Sequence, residues 1–335
     1  MPLRLIEIVL PSASLAAVDL LPSGDSVVGR WDSALDDERV LIRMLVKSEN
    51  TEALLDDLAS RFSNTQQFRV ILLPVEATLP RLVEPAPSSD APQPPKSADR
   101  ISREELVDDV AQGAKLSRVF IVQTLLATIV AAVGLIRNDT AIIIGAMVIA
   151  PLLGPNVSLC LATTLGDLEL AKRSVRTNAV GLSVTLAASL LIGALFSVDP
   201  SQPALTARIG VHGGDIVLAL ASGCAGVLAF TTGAPTALIG VMVAVALLPP
   251  FCVFGLLLAS GHWQAASGAL MLVATNVICV NLAGVLTFSV QGIRPRTWWE
   301  ARRARLATRI VAGIWAALLA ILIGLVYLSL RYSTK

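Results

Sequence analysis

A proline-interrupted apolar run over residues 140–165 limits the possible folds of this chain more than any other stretch. Its length and composition are those of a transmembrane helix. However, Pro151 and Pro155 lack the N–H of a continuous helix, and a proline ring clashes with the preceding turn. In hydrocarbon every freed backbone group needs a partner, so a broken helix persists only inside protein or beside a water-filled cavity. The sequence predicts such a break, with Pro151, Gly154 and Pro155 as hinge residues.

The same pattern nearly recurs later in the chain. Residues 145–155 read Gly-Ala-Met-Val-Ile-Ala-Pro-Leu-Leu-Gly-Pro, and residues 240–250 read Gly-Val-Met-Val-Ala-Val-Ala-Leu-Leu-Pro-Pro. The match predicts a second helix break, with Pro249 and Pro250 as its hinge residues. An alanine stands where the first copy has its first proline, so we expect the second break to be the milder one. The alternative for both copies is a simple kink, because many prolines in transmembrane helices do no more than that.

Composition places the chain among polytopic membrane proteins. Apolar residues make up 54% of its 335 residues and charged residues 15%, and the mean hydropathy is +0.71. Seven runs are long and apolar enough to span a bilayer, at approximately 118–136, 140–166, 177–198, 214–231, 235–260, 265–289 and 307–330. The net charge of +1 argues against a nucleic-acid partner, and the lipid bilayer is the expected partner. The four cysteines lie in the apolar runs and are expected to be small buried hydrophobes.

Lysine and arginine are distributed unevenly between the two sides of the predicted spans. One side holds most of them: Lys115, Arg118, Lys172, Arg173, Arg176, Arg294, Arg296, Arg302, Arg303, Arg305 and Arg309. The other side holds four: Arg137, Arg208, Arg331 and Lys335. Because cytoplasmic loops are enriched in these residues, the sequence predicts a plasma-membrane protein with a cytoplasmic N-terminus and an external C-terminus.

The first part of the chain, residues 1–83, has the pattern of a small soluble domain. The predicted order is βαββαβ, typical of a ferredoxin-like α+β fold, with strands near 5–10, 26–31, 39–46 and 68–75 and helices at 12–21 and from about residue 50. Such a domain binds a small regulator or, more ordinarily, assembles subunits. A proline-rich linker follows at 84–100. An amphipathic helix at 101–116, with Ser102 and Glu105 as a capping box, then lies at the membrane interface or contacts another subunit.

The duplication extends to three spans in each copy, over residues 117–198 and 213–290. A basic loop and a last span, residues 291–335, follow. Each copy carries two further markers, a glycine that closes the broken span and a Thr-Asn pair in the third span: Gly166 with Thr177-Asn178, and Gly261 with Thr275-Asn276. Because three is odd, the second copy enters from the opposite side, so the repeat is inverted. Many secondary transporters have this architecture, with a site near the midplane where broken helices meet.

Polar residues near the two breaks are the candidate substrate-binding groups. No charged or histidine side chain falls at the centre of a predicted span, so the candidates are neutral: Asn156, Ser158, Asn178, Asn276 and Asn281. Alternatively, such asparagines hold two helices together by hydrogen bonds. The ends of a broken helix add N–H groups for an anion or carbonyls for a cation. The sign of the ligand's charge therefore stays open.

Little in the sequence indicates a catalytic or metal-binding site. His212 and His262 fall in loops, and no HExxH, glycine-rich phosphate loop or GxSxG pattern is present. We expect neither enzymatic activity nor a metal or cofactor. The favoured hypothesis is a transporter or channel-like permease for a small solute or ion, a homo-oligomer whose cytoplasmic domain regulates or assembles it. The alternative is a membrane-anchored sensor or scaffold without transport.

Two stretches resemble a known family. Residues 138–155, Asn-Asp-Thr-Ala-Ile-Ile-Ile-Gly-Ala-Met-Val-Ile-Ala-Pro-Leu-Leu-Gly-Pro, and residues 166–171, Gly-Asp-Leu-Glu-Leu-Ala, are similar to prokaryotic hydrophobic membrane proteins catalogued as domain of unknown function 389. The resemblance covers roughly residues 110–290, and the N-terminal region looks like the family's usual soluble extension. It implies a multi-pass plasma-membrane protein with a repeated core, and it names no substrate.

Overall fold

The chain divides into two compact units, Met1–Leu106 and Val107–Lys335. A computed structural model describes residues 3–14, 27–62, 65, 67–75, 78, 102–232 and 236–293 and single positions from 313 to 324, with the backbone alone at 236–245. The predicted linker at 84–100 lies outside the described residues. So does the last predicted span at 307–330, apart from those single positions.

The first unit contains a four-stranded antiparallel sheet. Its strands are β1 (Leu3–Pro11), β2 (Val27–Ala34), β3 (Arg39–Lys47) and β4 (Arg69–Val75). They lie in the order β2-β3-β1-β4, with every neighbouring pair antiparallel. This is the strand order of the predicted ferredoxin-like arrangement. Of the helix predicted at 12–21, only a short 3-10 turn at Ser12–Ser14 falls within the described residues.

One face of this sheet forms the core of the first unit. Ile6, Ile8 and Leu10 of β1 are fully buried, because alternate side chains of a strand point to the same face. Helix α1 (Ser48–Phe62) packs Leu58 and Phe62 into the same core. The apolar residues of this helix recur at helical spacing, so they share one face.

Helix α2 (Arg103–Gly113) begins as the sequence predicts. The Ser102 hydroxyl accepts a hydrogen bond from the Glu105 backbone N–H over 3.3 Å. The second half of the capping box does not form. Instead, the Glu105 carboxylate accepts two hydrogen bonds from the Arg4 guanidinium, at 3.0 and 3.2 Å. The helix start is therefore joined to β1 through a charged pair.

The second unit is helical: α3 (Arg118–Ile136), α4 (Thr140–Ile149), α5 (Leu153–Leu165), α6 (Leu168–Leu195), α7 (Pro203–Thr206), α8 (Gly213–Thr232), α9 (Thr236–Ala259) and α10 (Trp263–Val290). Within the described residues, α3, α6, α8 and α10 are long and apolar enough to cross a membrane, and α4 with α5 adds a fifth candidate as one bent span. Ala246–Ala259 of α9 is a shorter apolar helix. These helices are compatible with a multi-pass membrane protein.

The first predicted break is present. Helices α4 and α5 meet at an angle of 54°. Ala150 ends α4 in an extended conformation, with φ −68° and ψ 121°, because the ring of a following proline disfavours the helical conformation. Pro155 has a different role. It lies in the first turn of α5, where no intrahelical N–H bond is required. Pro151 therefore makes the break, and Pro155 is compatible with the restart.

The predicted second break is wrong. Helix α9 continues through Pro249 and Pro250. Two features of the chain keep this helix continuous. Ala246, which is equivalent in the repeat to Pro151, retains its backbone N–H, so the helix continues through this position. The carbonyl that Pro250 leaves without its usual donor is bonded by a side chain of α10. The two proline clusters are therefore not equivalent breaks.

Helix α6 contains most of the third predicted span, 177–198, and begins nine residues before it. Helix α6 starts at Leu168, where the Asp167 carboxylate accepts hydrogen bonds from the N–H groups of Glu169 and Leu170. Asn178 consequently lies deeper in its helix than the predicted span placed it.

The two predicted closing glycines are confirmed. Gly166 and Gly261 both have a positive φ, 71° and 79°, as residues after a helix end commonly do.

Packing in the second unit connects the two halves of the bundle. Helix α5 contacts α6, α8 and α10, while α9 contacts α3, α4, α6, α8 and α10. Close approach depends on glycine. A Cβ on Gly193 of α6 would lie 2.7 Å from the Leu256 carbonyl oxygen of α9, and one on Gly223 of α8 would lie 2.6 Å from that of Val280 in α10. Small residues at such crossings are typical of membrane helix pairs.

Candidate functional site

Asn276 replaces a backbone hydrogen bond that Pro250 cannot make. In an α-helix the N–H of residue i bonds the carbonyl of residue i−4, so Pro250 leaves the Ala246 carbonyl without its usual donor. The Asn276 Nδ2, from the middle of α10, donates to that carbonyl oxygen over 2.7 Å. The contact explains how α9 continues through its prolines in a buried setting.

The other end of the same amide has no hydrogen-bond partner among the residues that the structure describes. Asn276 is only 5% exposed, yet its Oδ1 accepts no hydrogen bond. Buried polar atoms are almost always bonded, and one left unbonded costs about 1–3 kcal/mol. Asn276 lines a cavity of about 170 Å³, together with Arg208, Asp215, Leu218, Ala246 and Pro250 among others. The oxygen itself has almost no accessible surface, so a donor in the cavity can reach it only when the surrounding side chains move.

Arg208 provides a positive charge at the cavity wall. It lies in the connection between α7 and α8, and its Nη1 donates to the Ala204 carbonyl oxygen over 2.6 Å. It has no carboxylate partner among the residues that the structure describes. Burial lowers the pKa of the Arg208 guanidinium, although arginine stays protonated at neutral pH. An unpaired guanidinium here favours a ligand that carries acceptor oxygens.

Asp215 contributes an acceptor to the same cavity. It lies in the first turn of α8, and its Oδ2 accepts the His212 backbone N–H over 2.8 Å. The His212 ring Nδ1 lies 3.4 Å from the same oxygen. The lining of the cavity therefore includes a cation, Arg208, a carboxylate, Asp215, and the amide of Asn276. A neutral polar solute, or an ion with both donor and acceptor groups, matches this set.

The remaining predicted binding residues make contacts within and between helices. The Asn156 Nδ2 donates to the Leu152 carbonyl over 2.7 Å and to the Asn178 Oδ1 over 3.2 Å, which ties α5 to α6. The hydroxyls of Ser158 and Ser174 lie 2.9 Å apart.

Asn281 on α10 behaves similarly. Its Nδ2 donates to the Val277 carbonyl, and its Oδ1 accepts from the Cys160 thiol on α5 over 3.5 Å. Asn156, Ser158, Asn178 and Asn281 do not line the cavity around Asn276, and their role in ligand binding stays a prediction.

The N-terminal end of α5 is covered by backbone. A Cβ on Gly154 would lie 2.6 Å from the Gly113 carbonyl oxygen at the end of α2. Beside it, the Thr177 hydroxyl donates to the Ala114 carbonyl over 2.7 Å. Gly154, predicted as a hinge residue, is thus required for close packing. The cavity around Asn276 contains Pro250 but neither Pro151 nor Pro155, so the two proline clusters do not form one shared site there.

Arg208 was missed by reasoning from the sequence because it lies between two apolar runs, and Asp215 because it lies at the start of the run 214–231 and not at its centre. One signal was available. Arg208 is one of the few basic residues on the predicted outer side, between two apolar runs. What the sequence could not show is that this connection lies beside the middle of α10. No group of three or more His, Cys, Asp or Glu side chains arranged for a metal ion occurs in the described part of the chain.

Known proteins resemble part of the helical unit and also the chain as a whole. Residues 147–282 match the family described as Domain of unknown function (DUF389). An uncharacterized protein of Methanocaldococcus jannaschii is 32% identical over 329 residues, which cover 98% of this chain and all of that protein. The chain belongs to the DUF389 family. The resemblance read from residues 138–171 is confirmed. The match also includes Pro151, Pro250 and Asn276 of this DUF389 protein. No solved structure matches the chain.

Proposed function

We propose that this DUF389 protein is a membrane transporter or channel-like permease for a small polar solute or ion, with its binding site in the cavity around Asn276. The observation that carries the proposal is the unbonded Oδ1 of Asn276 in the middle of a long apolar helix. Polar groups at membrane depth are expensive and commonly mark a solute pathway. Arg208 and Asp215 add charged groups to the same cavity.

We further propose seven spans, six of them in two inverted copies of three helices. The packing supports this arrangement. In the first copy, α5 contacts α8 and α10 of the second, and in the second copy α9 contacts α3 and α6 of the first. Each Thr-Asn asparagine also bonds within its own copy, Asn178 to Asn156 and Asn276 to the Ala246 carbonyl. An alternating-access mechanism would move one copy against the other.

The remaining features of the proposal concern location and assembly. The distribution of lysine and arginine supports a cytoplasmic N-terminus and an external C-terminus in the plasma membrane. The protein acts as a homo-oligomer, with the small sheet domain regulating or assembling it. We propose neither an enzymatic reaction nor a cofactor, and no nucleic-acid partner. Arg208 and Asp215 act in solute binding.

The proposal is tested by flux through the purified full chain in liposomes. The probes are potassium chloride, followed as conductance, and urea, glycerol and acetate, followed by osmotic swelling. We expect at least one probe to cross faster than in protein-free liposomes. Asn276→Leu should lower that flux by about tenfold, because it removes a polar group from the lining of the cavity. Asn281→Leu is the matched control, a buried asparagine of the same helix outside this cavity.

Two results contradict the proposal. If Asn281→Leu lowers flux as much as Asn276→Leu, the effect belongs to helix packing and not to the cavity. If no probe crosses and deletion of residues 1–83 abolishes the cellular phenotype, the scaffold or sensor hypothesis replaces transport. Arg208→Gln tests the charge selectivity of the flux. Because this variant removes the positive charge, it should reduce acetate flux more than urea flux.

A further inference from the structure

A second cavity, of about 440 Å³, lies where α6 begins and α3 is about to begin. Its wall includes four cationic side chains and one carboxylate: Lys115, Lys172, Arg173, Arg176 and Glu169. Leu116 and Thr177 complete the lining. None of these residues lines the cavity around Asn276. The two cavities are therefore separate sites with different chemistry.

The four cations of this cavity have no ion-pair or hydrogen-bond partner in the part of the chain that the structure describes. In contrast, the arginines of the sheet domain commonly pair, as Arg43 does with Glu7 and Arg61 with Asp57. Four like charges around one cavity repel one another, and one nearby carboxylate leaves a net positive charge. An anion in the cavity would relieve this repulsion.

The length of α6 places this cavity at the level of lipid headgroups. A helix of 28 residues is about 42 Å long, whereas the hydrocarbon core of a bilayer is about 30 Å thick. Held close to the bilayer normal, α6 extends roughly two turns beyond the hydrocarbon. The projecting end is the first one, since Lys172, Arg173 and Arg176 lie there and the last turns are apolar.

We propose that this cavity binds the phosphate of an anionic phospholipid headgroup. Guanidinium groups recognise phosphate oxygens with paired hydrogen bonds. Basic cavities between membrane helices at this depth suit anionic headgroups. Apolar surface for the acyl chains lies nearby, because Val119, three residues after Leu116, is 63% exposed and Val175 is 52% exposed. A soluble phosphate ester has the same chemistry, and the depth of the cavity favours the lipid. The inference uses the membrane placement of the helices and does not depend on transport.

The test is a lipid titration of the purified full chain in neutral detergent, read by native mass spectrometry. The probes are phosphatidylglycerol, phosphatidylcholine, and soluble glycerol phosphate as competitor. We expect phosphatidylglycerol to bind at least about tenfold more tightly than phosphatidylcholine. Arg173→Gln with Arg176→Gln should weaken phosphatidylglycerol binding by roughly tenfold. The control double variant, Arg118→Gln with Arg137→Gln, removes the same charge outside the cavity and should change binding less than about twofold.

Three outcomes overturn the proposal. These are equal affinity of the wild type for both lipids, an equal loss in the control variant, and displacement of phosphatidylglycerol by an equimolar amount of glycerol phosphate. The last result would assign the cavity to a soluble phosphate ester. If the double variant does not fold, the single variant Lys172→Gln tests the proposal. Its affinity for phosphatidylglycerol should fall by about fivefold. Flux assays do not depend on these lipid-binding measurements, so the transport proposal and the lipid-binding proposal can each fail without the other.

Discussion

The two proline-containing stretches of the core start from nearly the same sequence and form different structures. In the first, α4 ends before Pro151 and the chain turns by 54° into α5. In the second, α9 continues through Pro249 and Pro250. The difference has a local and a distant cause. The local cause is the alanine at 246. The distant cause is Asn276, which bonds the carbonyl that Pro250 leaves free.

This comparison shows that a proline does not define a break by itself. What matters is where the proline lies and whether the freed carbonyl finds a donor. Pro155 lies in a first helical turn, where nothing is lost. Pro250 lies within a helix, and a side-chain amide replaces its missing N–H. Of these three prolines, only Pro151 lies between two separate helices. The site hypothesis consequently moves from two meeting breaks to one cavity beside a continuous helix.

The largest expected effect comes from making the second stretch resemble the first. Ala246→Pro removes another N–H from the interior of α9 and places a ring against the preceding turn, which costs about 3 kcal/mol or more. Reversible unfolding in mixed micelles measures the free energy. Ala246→Gly is the control, with an expected cost of about 1 kcal/mol. A stable Ala246→Pro protein would mean that α9 tolerates a break.

Gly154 and Gly145 give the next contrast within the first stretch. Gly154→Ala places a Cβ against the Gly113 backbone, and we expect a loss of about 1–3 kcal/mol in unfolding free energy. Gly145 has nothing within 4 Å of an added Cβ, so Gly145→Ala should be neutral or stabilise its helix by up to about 1 kcal/mol. Thermal unfolding in detergent compares the two. Equal effects would return Gly154 to the role of hinge.

A double-mutant cycle tests the link between Asn276 and Pro250. Asn276→Leu leaves the Ala246 carbonyl without a donor and should cost about 1–3 kcal/mol. Pro250→Ala restores a backbone N–H for that carbonyl, so the cost of Asn276→Leu should fall by about 1 kcal/mol in that background. Asn281→Leu should add independently to Pro250→Ala. Additivity in both cycles would separate Asn276 from the continuity of α9.

The smallest effect is expected for Pro151→Ala. Restoring an N–H at this position removes the steric reason for the extended Ala150. The Gly113–Gly154 approach and the Asn156–Asn178 bond still fix the start of α5. We expect the bend to persist and the stability to fall by less than about 1 kcal/mol. Pulsed EPR distances between labels on α4 and α5 measure the angle. A longer distance in the variant would show that the proline alone sets the bend.

Much of the architecture was predictable from local patterns. The strands, the Ser102 cap and the closing glycines all depend on neighbours in sequence. The candidate site was predictable only in part. Asn276 was named from its position near a break, but Arg208 was not, because its closeness to α10 comes from how a connection packs.

The sequence by itself determined the apolar helices, the small antiparallel domain and the resemblance to the family. The spacing of apolar residues, the residues of turns and the residues of a motif are all properties of short stretches of chain. Only the tertiary structure decided which proline breaks a helix and which asparagine lines a cavity. Whether a freed carbonyl is bonded depends on a donor 30 residues away, and whether a glycine is replaceable depends on the backbone opposite it. Such partners are brought together by helix packing, which no local pattern specifies.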